Sequence, residues 1–307
     1  MHRFSRRQFM ATALASAVMT SCTQRQKSSQ ADGRSAAAAT RIVALEWVYV
    51  EDLLALGLQP VGVTDIQGYN TFVDIEPKLA ATVVDVGTRQ EPSLEAIAQL
   101  EPDLIIGTQL RHDAIYDALS AISPTLLFNP YPDNSLTQLD EMQQTFRAIA
   151  QRVERQELGE TVLRQMQAAF KTARDRLQLA KSANNGFILG QFNDATPQIR
   201  LFTNNAMAVQ VLNQIGLKNA WNGQFDRFGF NTVGIEVLPT IEQANFLYIA
   251  PDHNTHLKQL QNHPVWQGLQ FVQENRFYPI GADTWVFGGP KSVQVLVEKV
   301  ATALIKR

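Results

Sequence analysis

The sequence predicts an α/β protein of two lobes joined by one long helix. Three observations predict it. Short apolar runs alternate with helix-patterned stretches in both halves of the chain. Between these halves, residues 136–183 hold a single glycine, Gly159, no proline, and much Gln, Arg, Glu, Leu and Ala. The length, 307 residues, suits about two domains.

The elements follow in order. Ile42-Val43-Ala44-Leu45 reads as a strand. Val48 to Leu56 carries apolar residues at helical spacing and stops at Gly57, a C-cap candidate. Pro60 to Thr64 and Val83 to Val86 are the second and third strands. Ser93 to Leu100 is a helix with Ser93 as N-cap and Glu95 in its first turn. Asp103 to Thr108 and Thr125 to Phe128 are strands on either side of a helix over His112 to Ile122. This regular alternation predicts parallel layers. Two helices then meet near Gln156. The second, about Glu157 to Lys181, would be about 37 Å long at a rise of ~1.5 Å per residue. A connector that stiff limits hinge bending, so a ligand would sit in the cleft with modest closure. Alternation resumes with strands at Phe187 to Phe192, Ile199 to Phe202, Asn245 to Ala250 and Phe277 to Ile280. Helices are expected at Ala206 to Ile215, His256 to Asn262 and Pro290 to Ile305. The boundaries are therefore 41–153 for the first lobe, 154–183 for the connecting helix and 184–307 for the second lobe.

Residues 1–22 read as a signal peptide and 23–40 as a flexible tether. Arg3, Arg6 and Arg7 precede a short run of small residues, Met10 to Ser21, that is too short to span a bilayer. Ser5-Arg6-Arg7-Gln8-Phe9-Met10 resembles a twin-arginine export signal. Met19-Thr20-Ser21-Cys22 resembles a lipoprotein processing box, with Met19 where such boxes prefer Leu, Val or Ile. Cys22 is the only cysteine of the chain, so no intrachain disulfide or cysteine-based zinc site exists. Acylated, it would hold the protein at a membrane, each buried methylene contributing about 0.8 kcal/mol.

Composition narrows the function. Apolar residues make up 45% and charged residues 18%, enough for a real core. A net charge of −2 gives no basic field for nucleic acid. The chain has no Gly-x-Ser-x-Gly elbow, phosphate-cradling glycine loop or His-Glu-x-x-His pair, so catalysis is not expected. Five histidines are too few for a free-metal site built from both lobes. Asp252-His253-Asn254-Thr255-His256 reads as an exposed turn and helix cap rather than a ligand set.

Several segments carry a family resemblance. They are Arg41-Ile42-Val43-Ala44-Leu45-Glu46-Trp47, Asp85-Val86-Gly87-Thr88-Arg89-Gln90-Glu91-Pro92-Ser93-Leu94, Glu101-Pro102-Asp103-Leu104-Ile105-Ile106 and Arg111-His112-Asp113-Ala114-Ile115-Tyr116. Further on, Ile122-Ser123-Pro124-Thr125-Leu126-Leu127 and Ile215-Gly216-Leu217-Lys218-Asn219-Ala220-Trp221 add to it. Together they resemble the periplasmic ferric-dicitrate and ferric-hydroxamate binding proteins of bacterial ABC importers. The resemblance runs through 41–305 and is densest in 41–130. It implies two Rossmann-like lobes joined by a single long helix, the class III periplasmic binding protein fold. It also implies a monomer without cofactor or direct metal ligands, whose cargo is a ferric-siderophore complex. A haem- or cobalamin-binding protein of the same fold is the alternative.

The resemblance makes Arg89 the residue that holds the oxygens of the iron chelate. Its place agrees, since Arg89 follows the third strand in a loop where open α/β sheets bind ligands. Arg111 follows the fourth strand at the equivalent edge. Two guanidinium forks favour an anionic, oxygen-rich chelate. The hydroxamate type has an aromatic residue near Arg111, and this sequence does not. Trp47, Tyr49, Tyr69, Phe228, Phe230 and Trp285 are candidate walls for the organic part of the ligand, although each could equally serve packing. Arg227 is the candidate second-lobe cation, with Arg200 a weaker one. Glu95 and Glu236 occupy matching first turns of short helices. Such carboxylates favour helix N-termini, and the resemblance implies that they dock on arginines of an ABC permease dimer.

Overall fold

The computed structural model describes residues 40–132, 137–180, 184–192 and 197–305. Cys22, the export signal and residues 23–39 of the tether lie outside them.

The first sheet has strands β1 (Ile42–Ala44), β2 (Gly62–Val63), β3 (Val84–Asp85), β4 (Leu104–Thr108) and β5 (Thr125–Phe128). Their order is β3-β2-β1-β4-β5, every pair parallel. The chain moves outward from β1 to β3, then crosses back to β4 on the other side of β1. That reversal opens a crevice beyond the carboxyl ends of β1 and β4, the usual ligand position in such sheets. Helices α1 (Trp47–Ala55), α2 (Ile66–Phe72), α3 (Leu94–Gln99), α4 (Gln109–His112) and α5 (Tyr116–Ile122) cover the sheet. Gly57 follows α1 at φ 73°, the left-handed conformation that ends a helix. Ser93 caps α3 by accepting from the Ala96 N–H at 3.2 Å.

The helix expected over His112 to Ile122 is divided. A 3-10 turn, Asp113–Ile115, separates α4 from α5. Helix α4 starts three residues earlier than expected because Gln109-Leu110-Arg111 has no apolar face to read. Helix α2 was not expected either. It is short, and its N-cap Asp65 accepts from the Gly68 N–H at 3.1 Å.

Helices α6 (Gln138–Arg152) and α7 (Gln156–Leu179) follow, the second at the position expected for the connecting helix. The 24 residues of α7 span about 36 Å. Its buried stripe of Val162, Leu163, Met166, Phe170, Ala173 and Leu177 repeats at helical spacing.

The second sheet comprises β6 (Gly186–Phe192), β7 (Ile199–Phe202), β8 (Lys218–Asn219), β9 (Phe230–Val233), β10 (Asn245–Ile249) and β11 (Phe277–Pro279). It runs β11-β10-β6-β7-β9, with β8 beside β6. The expectation of parallel layers fails here. Strand β7 is antiparallel to both β6 and β9. The chain between Phe192 and Ile199 is far shorter than the dozen or so residues a parallel crossover needs, so β6 and β7 form a hairpin. Helices α8 (Met207–Gln214), α9 (Thr255–Gln261), α10 (Pro264–Gly268), α11 (Gln270–Gln273) and α12 (Pro290–Ile305) complete the fold. Asn254 caps α9 by accepting from the Leu257 N–H at 2.7 Å, and His253 is exposed beside it.

One apolar cluster runs from Ile42 in β1 through α1, α6, α7 and α8 to Leu304 in α12. The lobes therefore share a core instead of meeting at a wet seam, which opposes hinge opening.

A buried carboxylate also joins them. Glu51 of α1 has no exposed surface. It accepts from the Ser292 N–H at 2.8 Å and the Ser292 hydroxyl at 2.5 Å. The backbone N–H groups of Gly289 and Lys291 point to it as well. An acid here satisfies the free amides that open α12 and faces the positive end of the helix dipole. Asp52, next to it, is 1% exposed, and its Oδ1 has no hydrogen-bond partner. Burial, and then the charge of Glu51, push the Asp52 carboxyl well above the usual carboxylate range. Burial raises Glu51 too, against the pull of its donors. Asp52 is thus the one of the two that keeps its proton.

The unfolded chain releases that proton near the ordinary value of 3.8. The stability tied to it is full below this value and is lost as pH rises toward the folded pKa. Asp52→Asn should therefore unfold at the wild-type temperature near pH ~4 and several degrees higher near pH ~8. Thermal unfolding at both pH values checks this, and equal destabilisation at both would contradict it.

Candidate functional site

A cleft of about 550 Å³ opens beyond the carboxyl ends of β1 and β4. The first lobe lines it with Glu46, Val48, Tyr49, Arg89, Gln90, Thr108, Leu110, Arg111, Pro130 and Tyr131. The second lobe adds Arg200, Phe228, Phe230, Trp285 and Phe287.

Arg89 is held from three sides. Gly87, at φ 101°, turns the chain out of β3, a conformation that costs glycine little. Asp85 Oδ1 accepts from the Gly87 N–H at 2.9 Å, and Thr88 Oγ1 accepts from the Glu91 N–H at 3.0 Å. The Arg89 guanidinium lies 3.7 Å from the centroid of the Trp47 ring and 5.9 Å from that of Trp285. Such stacking contributes about 0.5–2 kcal/mol, more as water is excluded. The Arg89 carbonyl lies 3.0 Å from His112 Nε2.

His112 ties the two arginine segments together. Its Nδ1 accepts from the Thr108 N–H at 3.0 Å. That leaves Nε2 carrying the hydrogen, which it donates to the Arg89 carbonyl. The ring is fully buried, and this burial holds its pKa below the ordinary value.

Glu46 sits between the two cations. Its Oε1 is 3.1 Å from Arg111 Nε and its Oε2 is 3.5 Å from Arg89 Nη1. Only 8% of the residue is exposed. Burial raises its pKa, opposed by the two arginines. Arg89 Nε and Glu46 Oε1 are buried with no aligned hydrogen-bond partner. The floor thus carries charge and unspent hydrogen-bonding capacity together.

The walls are aromatic. Tyr131 of the first lobe meets Phe228 of the second edge-on at 5.1 Å. Phe228 stacks on Phe230 at 6.4 Å, and Phe287 meets both Phe230 and Trp285. Arg200 lies 4.8 Å from the Phe230 ring centroid.

The structure thus gathers Arg89, Arg111, Tyr49, Phe228, Phe230 and Trp285 at one cleft. It places Trp47 and Tyr69 behind the lining and Arg227 at its margin. Trp47 is 3% exposed and forms the platform beneath Arg89, not a wall. Tyr69, on α2, is 1% exposed and faces Glu51 and Asp52 in the core. Arg227 is exposed at the margin of the cleft, its guanidinium 5.9 Å from the centroid of the Phe228 ring, and its carbonyl accepts from Gln138 at 3.1 Å. Arg200, on β7, lines the cleft directly, while Arg227 sits in the loop before β9. Glu95 and Glu236 are both exposed, the second on a 3-10 turn, Ile235–Thr240.

Sequence reading missed Glu46, His112, Tyr131 and Phe287. The rule that selected Arg89 and Arg111, position just past a strand's carboxyl end, also selects Glu46 after β1 and Tyr131 after β5. His112 carried no such signal. Among the described residues, no cluster of three or more His, Cys, Asp or Glu side chains is set to hold a metal.

A family model described as periplasmic binding protein matches residues 42–284. The chain belongs to this family. Its members are substrate-binding components of transport and not enzymes. The chain is 30% identical over 264 residues to the iron(3+)-hydroxamate-binding protein FhuD of Escherichia coli, covering 86% of each. It is 31% identical over 253 residues to the Fe(3+) dicitrate-binding periplasmic protein FecB of the same species, covering 80% of this chain and 78% of that one. Among solved structures, the Fe3+–Desferal-bound FhuD of Vibrio cholerae is similar with a TM-score of 0.80 and 28% identity, over 87% of this chain and 98% of that one.

The histidine gives a direct check. Above the ordinary value of 6.5 the His112 contribution to stability is complete, and it is lost as pH falls toward the lowered folded pKa. ¹⁵N NMR should find His112 neutral, protonated on Nε2, and titrating below 6.5. Titration at or above that value would contradict the bridge.

Proposed function

We propose that this protein is the extracytoplasmic solute-binding component of an iron-uptake ABC importer, and that it captures an anionic ferric-siderophore complex of citrate or hydroxamate type. The observation that carries this reading is the cleft itself. Arg89, Arg111 and Arg200 face one space of about 550 Å³ whose walls are Tyr131, Phe228, Phe230, Trp285 and Phe287. Guanidinium groups suit the chelating oxygens, and aromatic faces suit an organic scaffold. The volume lies within the usual range for small-molecule sites, about 300–1,000 Å³.

The relatives support the cargo class, since the two Escherichia coli proteins are named for ferric hydroxamate and ferric dicitrate. Their near-equal identities favour neither chelator. The shared core across α1, α7 and α12 supports modest closure around a preformed site. In this reading Glu95 and Glu236 dock on the permease dimer, and acylated Cys22 holds a monomer at the membrane on the periplasmic side. Residues 1–22 would direct export, by the twin-arginine route. Among the described residues no helix is long and apolar enough to cross a membrane.

Trp47 and Trp285 beside Arg89 give the test an intrinsic reporter. The purified protein is titrated with ferric dicitrate, ferric schizokinen, ferrichrome, haem, cobalamin and ferric ion. Saturable fluorescence quenching by a ferric chelate is expected, weakened about tenfold to a hundredfold in Arg89→Ala. Binding of haem, cobalamin or bare iron alone would overturn the cargo assignment.

A further inference from the structure

We infer that Glu46 sets the charge of the chelate that the cleft accepts, favouring weakly anionic ferric complexes over polyanionic ones. This rests on the siderophore reading above and adds the selectivity of that same site.

Glu46 lies just past the end of β1. It is the N-cap of α1, and its carbonyl accepts from the Tyr49 and Val50 N–H groups at 3.0 and 3.2 Å. The backbone is therefore pinned at the carboxyl end of β1. The carboxylate points between Arg111 and Arg89, at 3.1 and 3.5 Å. With 8% of the residue exposed, it has no route to solvent when a ligand arrives. An incoming anion meets the arginines and Glu46 together. Asp65, the N-cap of α2, lies 3.9 Å from Arg89 Nε but outside the lining.

The charges can be summed. Arg89, Arg111 and Arg200 bring three positive charges to the lining, Arg227 adds another beside Phe228 at 5.9 Å, and Glu46 is the one carboxylate of the lining set against them. In a cleft that excludes water, uncompensated charge is unfavourable, so Glu46 shifts the best match toward complexes of lower negative charge. Iron(III) bound by two hydroxamates and one α-hydroxycarboxylate carries a single negative charge. Three hydroxamates give a neutral complex. Two citrates leave several negative charges, each repelled by Glu46 at short range.

Two roles can be separated. If Glu46 merely holds the arginines in place, its loss weakens every chelate alike. If it sets charge, its loss changes the ratio between chelates.

Dissociation constants for ferric schizokinen, ferrichrome and ferric dicitrate are measured on wild type, Glu46→Gln and Glu46→Asp. Glu46→Gln should improve ferric dicitrate relative to ferrichrome by about tenfold, while Glu46→Asp keeps the wild-type ratio. A ratio unchanged in Glu46→Gln, with all three chelates shifted together, would overturn the proposal and leave the siderophore reading intact. Wild type alone also decides it. Ferric schizokinen must bind at least as tightly as ferric dicitrate, and a preference for dicitrate of about tenfold would overturn the proposal even if no variant folds. Binding of none of the three by wild type would overturn the siderophore reading and this inference with it.

Discussion

The way α1 is held decides both the shape and the charge of the cleft. One carboxylate at its start, Glu46, meets the two arginines of the floor. Another, Glu51, caps α12 and so fixes the second lobe. Both are buried. A buried charge that loses its partner is strongly destabilising, so each contact constrains the backbone on both sides of it. The helix is thereby tied to the arginine floor and to the start of α12, and the aromatic wall just before α12 is held opposite the floor.

This arrangement relates the rigidity of the core to binding. A shared apolar cluster opposes wide hinge motion, so the cleft is largely formed before a ligand arrives. Preorganisation lowers the entropy lost on binding. It also prevents Glu46 and the arginines from relaxing apart to suit any anion. The bridging His112 acts in the same sense, fixing the Arg89 carbonyl to the end of β4 through Thr108. Charge selectivity and limited motion then have one structural origin.

Much of the fold was legible in the sequence because local signals agreed. Ser93, Gly57 and the apolar run Ile42 to Leu45 marked their elements, and the absence of proline from 136–183 marked the connector. The antiparallel β7 was not read, because periodicity reports a strand and not its direction. Arg89 and Arg111 were legible through their place after β3 and β4. Trp47 and Tyr69 were misplaced for one reason: proximity to a loop in sequence says nothing about which way a side chain faces. Trp47 turns under Arg89, and Tyr69 turns into the core. The ion pairs of Glu46 join residues far apart in the chain, and no local pattern announces them.

The central claim is that a ferric chelate sits between the arginine floor and the aromatic wall. Crystals grown with ferric schizokinen, with diffraction recorded on both sides of the iron absorption edge, test it most directly. A single iron anomalous peak within the cleft is expected, with chelate oxygens toward Arg89 and Arg111 and the scaffold against Phe228, Phe230 and Trp285. An iron peak elsewhere on the protein, or iron bound directly by side chains without the chelate, would contradict it.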